Sequence, residues 1–241
     1  FYDKDGEYYL FYLSNPRDTD GNWQPWDAFS LAVSRDMLHW EEKGEGFYKS
    51  DNPDDWDYEI ITTGDIIRYQ DRYYMTYRAT QDRVEMNNII VSDDLLNWER
   101  VSLTPVLKTD SPDSPYEHDP ARTINNYVEM RDVTITQLAD GTLEGLFTAR
   151  LDSGPHTGRG VLGRVYSKNM TDWEMAEPLF APGRFNVIEV PSRYEYGGYH
   201  YLFFCVNSWL ESALESPNYP SIRWLTGYAK SRHFDRGFEY V

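Results

Sequence analysis

The sequence predicts an all-β fold built from repeated radial blades, a β-propeller. Three observations carry the prediction: a turn motif that recurs along the chain, an aromatic hairpin upstream of each copy, and the absence of any long segment with helical periodicity. The turn motif reads Ser34-Arg35-Asp36-Met37-Leu38-His39-Trp40 and returns as Ser92-Asp93-Asp94-Leu95-Leu96-Asn97-Trp98. A third copy is Ser167-Lys168-Asn169-Met170-Thr171-Asp172-Trp173, and a degenerate fourth begins at Ser231-Arg232-His233-Phe234, with Phe238 near the Trp position. Repeats of about 58 to 75 residues, each too small to bury a face alone, are the signature of stacked or radial units.

Each copy is preceded by a strand-like run: Phe29 to Val33, Asn88 to Val91, Val161 to Tyr166 and Trp224 to Ala229. Further upstream lies a Gly or Asp turn followed by alternating aromatics. Its four copies are Asp5 to Tyr12, Asp71 to Tyr77, Asp140 to Phe147 and Gly197 to Phe204. Such a turn between alternating runs is a hairpin signal. Each unit therefore holds an inner strand, a hairpin and a third strand ending in the turn motif. The stretches Asn15 to Gln24, Lys49 to Asp57, Thr109 to Tyr127 and Asn207 to Pro220 are rich in Pro, Asp and Asn and read as loops. Ala213 to Glu215 reads as at most a short helical turn. The whole of 1–241 reads as one domain.

The composition narrows the partners. The 241 residues include 20 Tyr, 8 Trp and 11 Phe, rings that suit half-buried pleated surfaces and also form platforms for flat ligands such as sugars. Forty acidic residues against 23 basic ones give a formal net charge of −17. That surface repels a phosphate backbone or an anionic membrane, so nucleic acid and membrane are not expected partners, whereas a neutral carbohydrate is compatible. Cys205 is the only cysteine, which excludes an intrachain disulfide and a cysteine metal cluster. Its apolar neighbours mark it as an inert thiol. No stretch reaches 18 apolar residues, the length a spanning helix needs.

Acidic residues stand near the start of three successive inner strands. Arg131-Asp132-Val133 opens the third, with Asp132 thirteen residues before Gly145. Glu189-Val190-Pro191 opens the fourth, with Glu189 twelve before Tyr201. Gly64-Asp65-Ile66 opens the second, with Asp65 nine before Tyr74. In a propeller the starts of inner strands converge on one mouth, so the three carboxylates are expected at nearly one structural address. Paired carboxylates suit glycosidic bond cleavage, in which one donates a proton to the leaving oxygen and another, ionised, attacks the sugar or activates water.

At these residues the chain resembles glycoside hydrolase family 32 (invertases, levanases, inulinases) and the related family 43 (arabinanases, xylosidases). The resemblance implies a five-bladed propeller, of which four repeats are visible here and the fifth is completed from beyond the two ends. Arg131-Asp132-Val133 is similar to the Arg-Asp-Pro motif of family 32 with Val for Pro, which implies that Asp132 stabilises the transition state. Glu189-Val190-Pro191 is similar to Glu-Cys-Pro with Val for Cys, which implies that Glu189 is the general acid. The nucleophile or base of these families is an Asp on the first inner strand, and the same count from Tyr9 puts it upstream of Phe1.

Around the acids, Asp65, Arg131, Trp23, Trp26 and Arg193 are the expected sugar contacts, with packing an alternative for the two Trp and a strand salt bridge an alternative for Arg193. Tyr194 follows the acid closely, and His118-Asp119 reads as surface loop. No cofactor is expected, since no His or Asp spacing demands a metal; the resemblance leaves a structural calcium ion open. The activity implied is hydrolysis of furanose- or pentose-containing glycans. A non-catalytic carbohydrate-binding propeller and a sugar phosphorylase are the alternatives.

Overall fold

The structure, a computed structural model, describes residues 2–15, 26–109, 111–123, 126–207 and 224–241. The chain is all-β, with 17 strands among the described residues and two single-turn 3-10 helices at Pro120–Arg122 and His156–Gly158. The strands form four antiparallel sheets, each wound in sequence order from an inner strand outward. These are the four expected blades. The turn at Ala213 to Glu215 lies outside the described residues, as does most of the loop from Asn207 to Pro220.

The first blade comprises β1 (Tyr2–Lys4), β2 (Glu7–Ser14), β3 (Ala28–Ser34) and β4 (Glu41–Tyr48). The second comprises β5 (Ile61–Thr62), β6 (Ile66–Tyr69), β7 (Arg72–Gln81), β8 (Val84–Ser92) and β9 (Glu99–Arg100), with β5 and β6 both pairing β7 as two halves of one inner strand. The third comprises β10 (Met130–Gln137), β11 (Leu143–Arg150), β12 (Gly160–Ser167) and β13 (Trp173–Phe180). The fourth comprises β14 (Glu189–Tyr196), β15 (Tyr199–Asn207), β16 (Trp224–Ser231) and β17 (Glu239–Tyr240).

The chain divides into two compact units. One holds residues 1–82 and 86–107, the other residues 83–85 and 108–241. In the first, Phe29, Phe47, Trp56, Ile61, Met75, Tyr77, Ala79 and Ile90 form a buried core. Asp57 is fixed there between the Tyr77 hydroxyl, which donates to it at 2.9 Å, and the Arg100 guanidinium at 2.7 Å. In the second, Leu146, Leu162, Phe180, Phe185, Ile188, Leu202, Phe204 and Val206 belong to one apolar core shared by the third and fourth blades. The two blades repeat one packing device. Phe147 lies over Gly163, directly opposite in register, and Phe204 lies over Gly227; a methyl group on either glycine would sit 2.5 to 2.6 Å from ring carbons.

The recurring turn motif has a local cause. Ser34 Oγ accepts the Met37 N–H at 2.9 Å, while Asp36 Oδ1 accepts the N–H groups of Leu38 and His39 at 2.9 and 2.8 Å. Trp40 Nε1 then donates to the Met37 carbonyl at 3.2 Å. Ser92, Asp94, Leu95 and Trp98 repeat these bonds, and Ser167, Asn169, Met170 and Trp173 repeat most of them. The fourth residue of the motif is left-handed in all three, with φ of 61° at Met37, 72° at Leu95 and 66° at Met170. Short polar side chains that bond their own backbone stabilise such turns, which is why Ser, Asp or Asn, and Trp recur at fixed spacing.

Candidate active site

The inner strands of the third and fourth blades begin with the same irregularity. In the third, Arg131 pairs with Thr148 and Thr134 with Leu146, so one extra residue is inserted between them. In the fourth, Glu189 pairs with Cys205 and Ser192 with Phe203, the same insertion. The residue after each paired position is left-handed: Asp132 has φ 57° and Val190 φ 54°. Asp tolerates this conformation better than most residues; a β-branched Val does not. Bulges re-aim side chains and gather beside active sites.

Here the bulge turns two consecutive side chains toward each other, where a regular strand would alternate them. Arg131 Nε stands 3.8 Å from Asp132 Oδ2. Arg131 Nη2 bonds Glu189, and its Nη1 bonds Glu85 at 2.9 Å and also Glu129. Asp132 Oδ2 accepts the Thr148 hydroxyl at 3.0 Å and the Val190 N–H at 3.0 Å, so the two bulges are tied directly to one another. Asp132 Oδ1 is buried and accepts no hydrogen bond among the described residues. Glu85 is further held by the Tyr127 hydroxyl at 3.1 Å and the Met130 N–H at 2.8 Å. All these groups lie in the second compact unit.

The electrostatics follow from this crowding. Burial works against the Arg131 charge, but Glu85, Glu189 and Asp132 override it and hold the guanidinium more firmly cationic than an ordinary arginine. Burial, with Glu189 and Asp132 nearby, pushes the Cys205 thiol up, so Cys205 is a neutral neighbour of the acids. Among the described residues no group of three or more His, Cys, Asp or Glu side chains is disposed to hold a metal ion.

The structure brings together Arg131, Asp132 and Glu189. It corrects the expected register: Glu189 is equivalent to Arg131, not to Asp132, and Asp132 is equivalent to Val190. The second blade has the same bulge, with Thr62 opposite Arg78, Thr63 left-handed at φ 24° and Ile66 opposite Met75. Asp65 stands opposite Thr76, its carbonyl accepting the Thr76 N–H at 3.0 Å and its own N–H donating to the Thr76 side-chain hydroxyl at 2.9 Å. Its address is therefore that of Thr134 and Ser192, three positions beyond Glu189, so of the three acids expected at nearly one address only Asp132 and Glu189 lie within one position of each other.

Arg193 pairs across the strands of its blade and its neighbour. Its Nη1 donates to the buried Glu144 at 2.6 Å and its guanidinium lies 3.8 Å over the Phe234 ring, so the salt-bridge alternative describes its contacts. Trp26 precedes β3 and is exposed, and its carbonyl accepts the Ile61 N–H at 3.2 Å. Trp23 lies outside the described residues. Tyr194 is exposed and meets the Phe203 ring edge-on. His118 stands 3.9 Å from Asp152. Glu85 and Glu129 escaped the sequence reading. Both are acids flanking apolar strand positions, Val84-Glu85-Met86 and Val128-Glu129-Met130, where a buried carboxylate requires a partner.

Residues 1–220 match the sequence profile of the glycosyl hydrolases family 32 N-terminal domain. No curated protein sequence matches the chain. Among solved structures it is similar to the Bombyx mori GH32 beta-fructofuranosidase, with a TM-score of 0.70 at 20% identity, covering 98% of this chain and 46% of that one. It is also similar to the inulosucrase from Halalkalicoccus jeotgali bound to kestose (TM-score 0.71, 18% identity, 99% and 63% covered). A third is the endo-arabinase from Bacteroides thetaiotaomicron VPI-5482 (TM-score 0.67, 15% identity, 98% and 75% covered). The chain spans less than half the length of the silkworm enzyme. At these identities the structural likeness establishes the β-propeller fold, and the profile match establishes the family: the chain belongs to the glycosyl hydrolases family 32 N-terminal domains.

Proposed function

We propose that the chain carries the acid-bearing part of a glycosidase acting on furanose- or pentose-containing glycans. Glu189 donates the proton to the leaving glycosidic oxygen. Asp132 stays ionised and steadies the positive charge that develops on the sugar as the bond to its anomeric carbon lengthens. The third carboxylate attacks that carbon or activates a water, and the water hydroxyl ends on the sugar while its proton restores the enzyme's acid–base balance. We propose for this third group the first-blade position opposite Leu13, which in blade register is equivalent to those opposite Thr148 and Cys205.

One observation carries the reading: a single guanidinium, Arg131, contacts Glu189 and stands beside Asp132, with the two acids supplied by matching bulges of successive blades. Their environments differ as the two roles require. Asp132 accepts hydrogen bonds from the Thr148 hydroxyl and the Val190 N–H, while Glu189 adjoins the apolar Val190 and pairs with Cys205 across the strands. The names of the similar structures support the substrate class, since they describe a beta-fructofuranosidase, one variant of it in complex with sucrose, an inulosucrase bound to kestose and an endo-arabinase.

The test is a panel of sucrose, inulin, levan, arabinan and xylo-oligosaccharides incubated with the full protein and, in parallel, with Glu189→Gln. The proposal expects reducing sugar from at least one furanoside and none from the variant. Equal release by both proteins, or release from no substrate, overturns it.

A further inference from the structure

We propose that Arg150 is a positioning residue: it grips the segment that leads into β14 and thereby sets where the Glu189 carboxyl stands. This rests on the reading of Glu189 as the acid and extends it to the residues that hold it in place. Arg150 ends β11, and its side chain is only 2% exposed. Its Nη1 donates to the Asn186 carbonyl at 2.5 Å and also bonds Asn186 Oδ1. Nε donates to Glu117 Oε2 at 2.9 Å, and Nη2 to the His156 carbonyl at 3.4 Å. One guanidinium therefore ties three separate stretches of chain together.

Asn186 stands three residues before Glu189 in the chain, and the segment between them has little freedom. The Gly160 N–H donates to the Phe185 carbonyl at 2.8 Å, and a methyl group on Gly160 would lie 2.8 Å from the Val187 backbone, so the two stretches touch there. Val187 and Ile188 are wholly buried. Beyond the acid, the Val190 N–H donates to Asp132 at 3.0 Å. Glu189 is thus held between two anchors, Arg150 upstream and Asp132 downstream, and the third blade supplies both. The bulge interrupts the ladder between Glu189 and Ser192, so the pairing of β14 does not by itself fix the acid.

A buried guanidinium is costly unless it is paired and fully bonded. Glu117, 3% exposed, supplies the pair, and its second oxygen accepts from Arg159 Nη1 at 3.0 Å. Glu117 is itself pinned, its N–H donating to the Arg150 carbonyl at 2.8 Å and its own carbonyl accepting the Thr109 hydroxyl at 2.9 Å. Apolar side chains could fill the same space at no loss of stability. A planar fork with donors in fixed directions does what they cannot, holding a backbone segment at one place and angle. An acid must stand about 2.6–3.2 Å from the oxygen it protonates, and a displacement of about 1 Å can cost about a hundredfold in rate.

The experiment measures kcat and KM for wild type, Asn186→Ala and Asn186→Asp on a furanoside with an alkyl leaving group and on one with a nitrophenyl leaving group, with Glu189→Gln alongside. Asn186→Ala removes the side-chain acceptor of Arg150, and Asn186→Asp keeps it. In Asn186→Ala, kcat on the alkyl substrate falls about ten- to a hundredfold with KM unchanged. The fall on the nitrophenyl substrate, whose departure needs no proton, is far smaller, and Asn186→Asp restores the rate. Equal falls on the two substrates, a rise in KM alone, or no change overturns the inference. Arg150→Lys, which keeps a charge beside Glu117 but loses the fork, is the second variant, and the same pattern is expected of it. Independently of turnover, crystal structures of wild type and Asn186→Ala should show the Glu189 carboxyl displaced by about 1 Å with the β14–β15 pairing kept; an unmoved carboxyl overturns the inference. Equal losses in Glu189→Gln itself, or a protein that hydrolyses nothing, defeat the proposed function, while the crystallographic comparison still decides whether Arg150 sets the place of Glu189.

Discussion

Arg131 and Glu189 hold the same position in successive sheets, each the last paired residue before a one-residue bulge, and their side chains bond one another. A repeated backbone defect thus delivers opposite charges to one point, and the bulge in one strand donates its Val190 N–H to the Asp132 carboxylate of the other.

Thr148 orients Asp132 from inside the sheet, its hydroxyl wholly buried. Thr148→Val keeps the shape and removes the donor. Leaving a buried carboxylate oxygen one bond short costs about 1–3 kcal/mol, so urea denaturation should report that loss, and kcat/KM should fall by at least about tenfold. Thr148→Ser restores both.

Val190 is half exposed and left-handed at φ 54°, a conformation that costs a β-branched residue about 1–2 kcal/mol. Val190→Gly relieves the strain and keeps the N–H that Asp132 accepts. After the entropy that glycine adds to the unfolded chain, a net gain of about 0.5–1 kcal/mol is expected, measured as a higher denaturation midpoint with activity retained.

Gly163 lies under Phe147, and its missing methyl would meet ring carbons at 2.5 Å. Gly163→Ala overpacks the third blade and destabilises it by about 1–3 kcal/mol. Gly46 is the control. An added methyl there meets its neighbours at an ordinary 3.6 Å, so Gly46→Ala should leave stability unchanged or slightly raised.

The turn motifs give an acid dependence. Bonds from the Asn97 and Leu96 N–H groups hold Asp94 below the usual carboxylate value of 3.8, despite some burial, and the His39 side chain and backbone do the same for Asp36. A carboxyl whose folded value is depressed adds stability that is complete above its unfolded value and lost as pH falls through the folded one. Wild type and Asp94→Ala should therefore differ most above about pH 5, by about 1 kcal/mol as for other backbone-capping side chains. The two should converge as pH drops below about 3. Urea titrations at several pH values check this.

The blades were legible in the sequence because their signals are local. The hairpin turns at Asp5-Gly6 and Asp140-Gly141 and the Ser-to-Trp turns are each closed by bonds within a few residues. Asp132 and Glu189 were legible as a pair because both begin inner strands. Their register was not, since counting back from an aromatic cannot detect an inserted residue, and the bulges move Asp65 and Asp132 away from the address assigned to them. For Arg193 the sequence left a sugar contact and a salt bridge open, because its partner Glu144 is 49 residues away. Glu85 reaches Arg131 across 46 residues, which no short-range pattern announces, whereas Glu129 lies two residues from it and bonds it locally.

The most direct test of the central claim, that Glu189 supplies the proton to the leaving group beside Asp132, is the leaving-group dependence of Glu189→Gln. Rates are measured on a furanoside with an alkyl leaving group and on one with a nitrophenyl leaving group. The account predicts a loss of about 10²–10⁴ on the alkyl substrate, the usual contribution of general acid catalysis, and a far smaller loss on the nitrophenyl substrate, whose departure needs no proton. Equal losses on the two substrates would contradict it.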